Sequence, residues 1–345
     1  MKRYLISLII VLALVMPVPS QAGPKELKVL GQPMAIGMIQ KKEQAFFENF
    51  SKMTGIDIKV TYTPLDVTGI KSSETLRLMR NGLFDIVSIR GPEASQDEPF
   101  LLGMDLVGLN PDFKTAHATY DVYRQPLADR FKSRFKMELL GMWCFGPQVL
   151  FCKPQIAGIK DLKGKKVSAS NKSRAIFLES LGAIPVAMDF SDVQQSLAKG
   201  VIDCAITGAS SANSAGWTEV TEYFMPIGFQ AAFNGYGISL NCMEKFRPEE
   251  QEKIRKAVEK LVNEIWVYAE ELHNDALRCN VGDKSCTMLN KASMKLVPVQ
   301  QEDIELFQNG VRMVSYPAWA GLCDKSSPGC SDTWKSLLGS RIGLK

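Results

Sequence analysis

An α/β fold in two lobes is what this sequence predicts. Three observations carry it: a length of 345 residues, an alternation of strand and helix that occurs twice, and a short phrase shared by the two occurrences. At about 100–200 residues per domain, the length provides for two cores. Hydrophobic residues at 46% and charged ones at 23% match an ordinary globular chain rather than a disordered or fibrous one.

The chain opens with Met1-Lys2-Arg3, an apolar run from Tyr4 to Met16, then Pro17, Pro19 and Ser20-Gln21-Ala22. Such a run is too short to cross a hydrocarbon core of about 30 Å, and its charged start and small-residue end are those of an export signal cleaved after Ala22. No later stretch approaches about 18 uninterrupted apolar residues, so a soluble mature chain is expected. Without Lys2 and Arg3, 39 basic residues face 37 acidic ones. That balance leaves no nucleic-acid footprint.

From Glu26 the pattern predicts strands over 27–30, 56–63 and 84–89, with helices over 41–53 and 73–80 between them. The same βαβαβ order returns as strands over 166–170, 184–188 and 201–206 with helices over 173–181 and 191–199. Arg80-Asn81-Gly82-Leu83-Phe84-Asp85-Ile86-Val87 parallels Ala198-Lys199-Gly200-Val201-Ile202-Asp203-Cys204-Ala205. In each phrase glycine falls where a helix closes in a left-handed cap and a buried parallel strand begins. Further on, Pro248-Glu249-Glu250 opens an amphipathic helix that places Ile254, Val258, Leu261, Val262, Ile265, Trp266 and Ala269 on one stripe and runs to Arg278. At 1.5 Å per residue it reaches about 45 Å, enough to lie across two lobes. The expected division is a leader over 1–22, a first lobe over 23–145 with parts of 232–270, and a second lobe over 146–231 with parts of 271–345.

Two lobes imply a cleft, and open parallel sheets take ligands beyond the carboxyl ends of their strands. Those ends are the segments 31–35, 89–93, 168–174 and 207–211, which carry Arg90, Glu93, Ser168, Ser170, Arg174, Thr207 and Ser210. Trp143 and Phe145 fall where the chain would cross between lobes, while Trp217, Phe229, Phe233 and Tyr236 follow the third strand of the second lobe. Singly each aromatic is expected in the core; together they permit a stacking face. The two histidines, His117 and His273, stand alone in predicted helices, and no nucleophile elbow, phosphate loop or zinc-protease motif occurs. Neither catalysis nor a cofactor or metal is expected.

All eight cysteines lie beyond the leader. In an exported chain an even number points to disulfides. Cys279 with Cys286 and Cys323 with Cys330 each bracket a short loop rich in Gly, Ser, Asp or Pro and are the favoured bridges. Cys144 with Cys152 and Cys204 with Cys242 then remain by subtraction. A zinc site would need pairs about two to four residues apart.

The run Asp161-Leu162-Lys163-Gly164-Lys165-Lys166-Val167, followed by Leu181-Gly182-Ala183-Ile184-Pro185-Val186, Phe190-Ser191-Asp192-Val193 and Ser196-Leu197-Ala198-Lys199-Gly200-Val201-Ile202-Asp203, resembles the solute-binding proteins of tripartite ATP-independent periplasmic (TRAP) transporters, the C4-dicarboxylate-binding (DctP) type. The resemblance is dense over the second lobe and extends over most of the chain. It implies a type II-like periplasmic-binding-protein fold. It also implies a periplasmic protein that captures a small molecule between its lobes and delivers it to a two-subunit membrane permease, without catalysis; a monomer is expected. The binding component of an ABC importer or an extracytoplasmic sensor is the alternative.

Family members usually hold the substrate carboxylate with an arginine at the position of Ser168, and often carry asparagine at that of Thr207. A buried carboxylate needs a cation, so the resemblance directs attention to Arg90 and Arg174 as replacements. If neither faces the cleft, Glu93 or Asp189 with Trp143 and Trp217 would suit an ammonium group instead. An organic acid is the favoured ligand and an amine the alternative.

Overall fold

The computed structural model describes residues 25–344. The expected leader over 1–22 lies outside the described residues. In the first lobe β1 (Lys25–Gly31), β2 (Ile58–Pro64) and β3 (Ile86–Arg90) are parallel, and β4 (Met137–Cys144) forms an edge. The second lobe contains β5 (Gln148–Cys152), β6 (Lys166–Ala169), β7 (Ile184–Ala187), β8 (Cys204–Gly208) and β9 (Tyr223–Met225), with the short β11 (Lys295–Leu296) at its edge.

Strand order shows how the lobes are joined. The first sheet runs β2-β1-β3-β10-β4, where β10 (Phe233–Ser239) arrives from the second lobe and lies antiparallel to both β3 and β4. The second runs β11-β9-β5-β8-β6-β7, where β5 arrives from the first lobe and lies antiparallel to β8 and β9. Each sheet therefore contains a strand delivered by a crossing of the chain. The crossings are residues 145–147 and 226–232.

The shared phrase has one structural meaning in both lobes. Gly82 and Gly200 adopt φ of 73° and 69°, the left-handed region that glycine enters without a Cβ clash. Three residues later, the Asp85 carboxylate accepts from the Lys28 N–H at 2.8 Å while the Asp85 N–H donates to the Lys28 carbonyl at 2.9 Å. Asp203 makes the same pair of bonds with Lys166, both at 2.8 Å. Each aspartate thus fixes where the third strand meets the first.

The expected helix over 41–53 is two helices, Met38–Glu48 and Phe50–Thr54, interrupted at Asn49, whose side chain donates to the Ala45 carbonyl. The long helix is Pro248–Asn280, spanning about 50 Å. Residues from Ile254 to Leu272 bury its stripe in the first lobe's core, and Ala276 reaches that of the second. Trp266 Nε1 donates to the Met142 carbonyl at 2.9 Å, and at the other end Asn213 Nδ2 donates to Asn280 Oδ1 at 2.8 Å. The chain after 310 returns to the first lobe, where Trp319 and Trp334 donate to the carbonyls of Pro99 and Gly103.

Cys279–Cys286 and Cys323–Cys330 are bridged. The other expected pairs, Cys144 with Cys152 and Cys204 with Cys242, are corrected by the structure: Cys152 is bridged to Cys204, and Cys144 and Cys242 are buried free thiols. Register is the reason. Cys152 and Cys204 stand directly opposite in the antiparallel β5–β8 pair, with Cα atoms 4.1 Å apart. Cys144 ends β4 and Cys242 lies in the helix Leu240–Met243, both in the first lobe.

Peptide mapping of the oxidised protein should recover Cys152 linked to Cys204, with Cys144 and Cys242 alkylated only after denaturation. A Cys204–Cys242 peptide would contradict this register. Replacing Cys152 and Cys204 together by alanine should lower stability by up to about 4 kcal/mol in a denaturant melt, because the bridge closes a separation of 52 residues.

Candidate functional site

The carboxyl ends of β3, β6 and β8 and the two crossings converge on one cavity between the lobes, with about 610 Å³ of empty space including its mouth. Eight of the eleven expected ligand-binding residues border it: Arg90, Glu93, Phe145, Ser168, Ser170, Arg174, Thr207 and Trp217. Trp143, Ser210 and Phe233 do not; all three are buried outside it. Trp143 packs edge-on against Phe145, ring centres 4.7 Å apart, and so stands behind the lining rather than in it. Ser211 borders the cavity in place of Ser210, since adjacent helical residues project about 100° apart. Asp189 lies in the outer groove at the mouth, beside Arg90, Glu93 and Phe190.

Arg174 lies in the first turn of the helix Lys172–Ser180, which Asn171 caps by accepting from the Arg174 N–H at 3.0 Å. That start aims its long side chain across the end of β8. Its Nη1 donates to the Ile206 carbonyl at 2.9 Å and its Nε to Gln230 Oε1 at 3.0 Å, while Nη2 has no partner among the described residues. The side chain is buried, at 3% exposure. Burial lowers the guanidinium to about 10 against the opposing pull of Asp105 and Glu93, so it is charged at neutral pH. Ser168 accepts from the Ile206 N–H at 3.3 Å. The short side chain at 168 and the long one at 174 thus meet on the same β8 residue.

Arg90, at the end of β3, is placed differently. Its Nη1 donates to Gln32 Oε1 at 3.1 Å and its Nη2 to Glu93 Oε1 at 3.2 Å, an ion pair. Glu93 Oε2 is buried without a hydrogen bond, as is Nε1 of Trp217. Trp217 and Phe190 make an aromatic wall, centres 5.4 Å apart and 33° between planes.

Gln148, Asn234, Phe190 and Ile36 also border the cavity. Sequence reasoning did not select them, because Asn234 and Gln148 come from the strands next to the crossings and are placed by long-range pairing. Asn234 Oδ1 accepts from Gln32 Nε2 at 3.4 Å, which links it to Arg90. Behind Gln32 lies Glu43, fully buried, whose Oε1 accepts from Ser88 at 2.6 Å and from the Gln32 N–H at 3.1 Å.

Among the described residues, no triad of nucleophile, base and orienting group lines the cavity. Asp275 lies near Cys279 and Cys286, but the two sulfurs share a disulfide and the carboxylate accepts from the Thr287 and Met288 amides. Among the described residues no helix is long and apolar enough to cross a membrane.

A polar cavity between two α/β lobes that exchange strands is the architecture of a two-lobed solute-binding protein. The sequence model of the family described as bacterial extracellular solute-binding protein, family 7 (DctP) matches residues 37–316, so the chain belongs to that family. The uncharacterized protein YiiZ of Salmonella typhimurium is 27% identical over 217 residues, which are 61% of this chain and 65% of that protein, a little under two thirds of its length.

Solved structures share the fold. DctP7 of Bordetella pertussis, a receptor binding pyroglutamic acid, superimposes with a TM-score of 0.76 at 16% identity over 91% of this chain and 99% of that one. A TRAP solute-binding protein of Desulfovibrio salexigens with bound orotic acid gives 0.78 at 15% over 92% and 99%. One of Sulfitobacter sp. NAS-14.1 with β-D-galacturonate gives 0.76 at 18% over 91% and 100%.

Burial pushes the Glu43 carboxyl up to about 7 from 4.5. Between those values the folded state keeps a proton that the unfolded chain gives up, so this contribution is full below 4.5 and is lost as pH rises through 7. Asp105, also raised to about 7, adds to the same trend, whereas His273, lowered to about 4, costs stability as pH falls below 6.5. Glu43→Gln should therefore gain stability relative to the native protein between pH 5 and pH 8, by on the order of 2 kcal/mol in paired denaturant melts. An unchanged difference at the two pH values would show that Glu43 does not titrate in this window.

Proposed function

We propose that this protein is the periplasmic solute-binding subunit of a TRAP transporter, capturing a small organic acid in the interlobe cavity and delivering it to a two-subunit membrane permease. The observation that carries the ligand class is Arg174, a buried cation bordering the cavity with Nη2 unengaged. A carboxylate placed there receives charge-assisted hydrogen bonds in a site shielded from water. Arg174 supplies what Ser168 does not, from one turn into the following helix rather than from the strand. An amine is less well served, because the carboxylate that would attract it, Glu93, is already paired with Arg90.

Family membership supports this reading, and so do the acids bound by the Bordetella, Desulfovibrio and Sulfitobacter proteins. The protein is taken to act as a monomer exported to the periplasm with its bridges oxidised.

Calorimetric titration of the mature, oxidised protein with organic acids and amines tests the proposal. Acids should bind, and Arg174→Met should weaken them at least about thirtyfold, the cost of removing one partner of a buried charge pair. The melting transition of the variant confirms that it is folded. Binding of amines alone, or acid affinity unchanged in Arg174→Met, would overturn the assignment.

A further inference from the structure

The charges around the cavity define the ligand more narrowly than organic acid, an inference that rests on Arg174 as the carboxylate partner. Two cations and one acid border it, Arg90, Arg174 and Glu93. Arg90 is consumed by Glu93 Oε1 at 3.2 Å and by Gln32 at 3.1 Å. Among the described residues that line the cavity, Arg174 is the cation left to balance a ligand charge, and the fully buried Asp105 offsets part of it. A second carboxylate on the ligand would enter a confined space with no cation among the described lining residues left for it. A charge left unpaired there loses its hydration without return.

Glu93 also states what the ligand should offer in place of that charge. Its Oε2 is buried and accepts no hydrogen bond among the described residues. An acceptor left in that condition costs its full desolvation, which an N–H or O–H from a ligand would restore. Trp217 Nε1, buried and unpartnered in the aromatic wall, is the complementary case, a donor that a ligand oxygen would satisfy.

We infer that this protein selects small monocarboxylates that carry an N–H or O–H donor, with the carboxylate on Arg174 and the donor on Glu93 Oε2, and that Glu93 is the residue that rejects dicarboxylates. Discrimination of this kind is strong because the wrong ligand leaves a buried polar group unpaired.

Matched pairs isolate the two requirements. Succinamate against succinate replaces one carboxylate by a donor-bearing amide on the same skeleton. Pyroglutamate against 5-oxotetrahydrofuran-2-carboxylate replaces a ring N–H by oxygen at constant charge, and lactate against propionate removes a hydroxyl. Calorimetric titration of the native protein should favour the donor-bearing member of each pair that binds by at least about tenfold. Glu93→Gln, which can donate as well as accept, should narrow or invert the succinamate preference while the melting transition shows a folded protein. Dicarboxylate binding as tight as that of its monoamide, or the same preference in Glu93→Gln, would overturn the inference while leaving acid binding by Arg174 intact. Failure of every acid in all three pairs would overturn both readings.

Discussion

A guanidinium taken out of water has to be given back its hydrogen bonds, and Arg174 imposes that condition on three separate parts of the chain. At 3% exposure it would be a costly, uncompensated charge without partners. The Ile206 carbonyl at the end of β8 supplies one and Gln230 on the second crossing supplies another. Gln230 is itself held, because its Nε2 donates to the Asp105 carbonyl. The Asp105 carboxylate in turn accepts from the Ala231 and Ala232 amides at 2.9 and 3.0 Å. One buried cation therefore ties a helix start in the second lobe to a loop of the first and to the segment that joins them.

The same network explains why the crossings are ordered rather than loose linkers. They pair with each other, the Gln148 N–H donating to the Gln230 carbonyl at 2.8 Å and the Phe145 N–H to the Ala232 carbonyl at 3.2 Å. Ala232 sits at φ 54°, a left-handed conformation that costs a residue with a Cβ about 1–2 kcal/mol. Its N–H bond to Asp105 and its position on the cavity wall show where that strain is held. Both crossings, residues 145–147 and 226–232, contribute lining residues. Ligand contact and lobe geometry share the same backbone.

Much of the fold is legible in the sequence because it is built from local rules. Gly82 and Gly200 mark left-handed helix ends, Asp85 and Asp203 follow at the same interval, and the stripe from Ile254 to Ala269 has helical period. These signals span only a few residues, within which propensity and capping act, and they brought eight expected residues to one cavity. The missing arginine at Ser168 and the candidate Arg174 were visible too, because a helix start at 172 places residue 174 at the carboxyl end of the sheet. Trp143, Ser210 and Phe233 share the composition of the lining and lie outside it, a difference of side-chain direction that composition does not carry.

The sequence alone determined the two-lobed α/β class, the repeated βαβαβ unit, the long helix and the small polar strand ends, since each follows from periodicity and turn chemistry within a short window. Tertiary structure decided which residues meet. Cys152 faces Cys204 because β5 and β8 are in antiparallel register across 52 residues of chain. Asn234 and Gln148 reach the cavity because β10 and β5 cross between lobes, and Arg90 is paired to Glu93 while Arg174 keeps Nη2 unengaged. These outcomes rest on strand register and on competition among buried partners, which depend on contacts between residues far apart in the chain and leave no local signature.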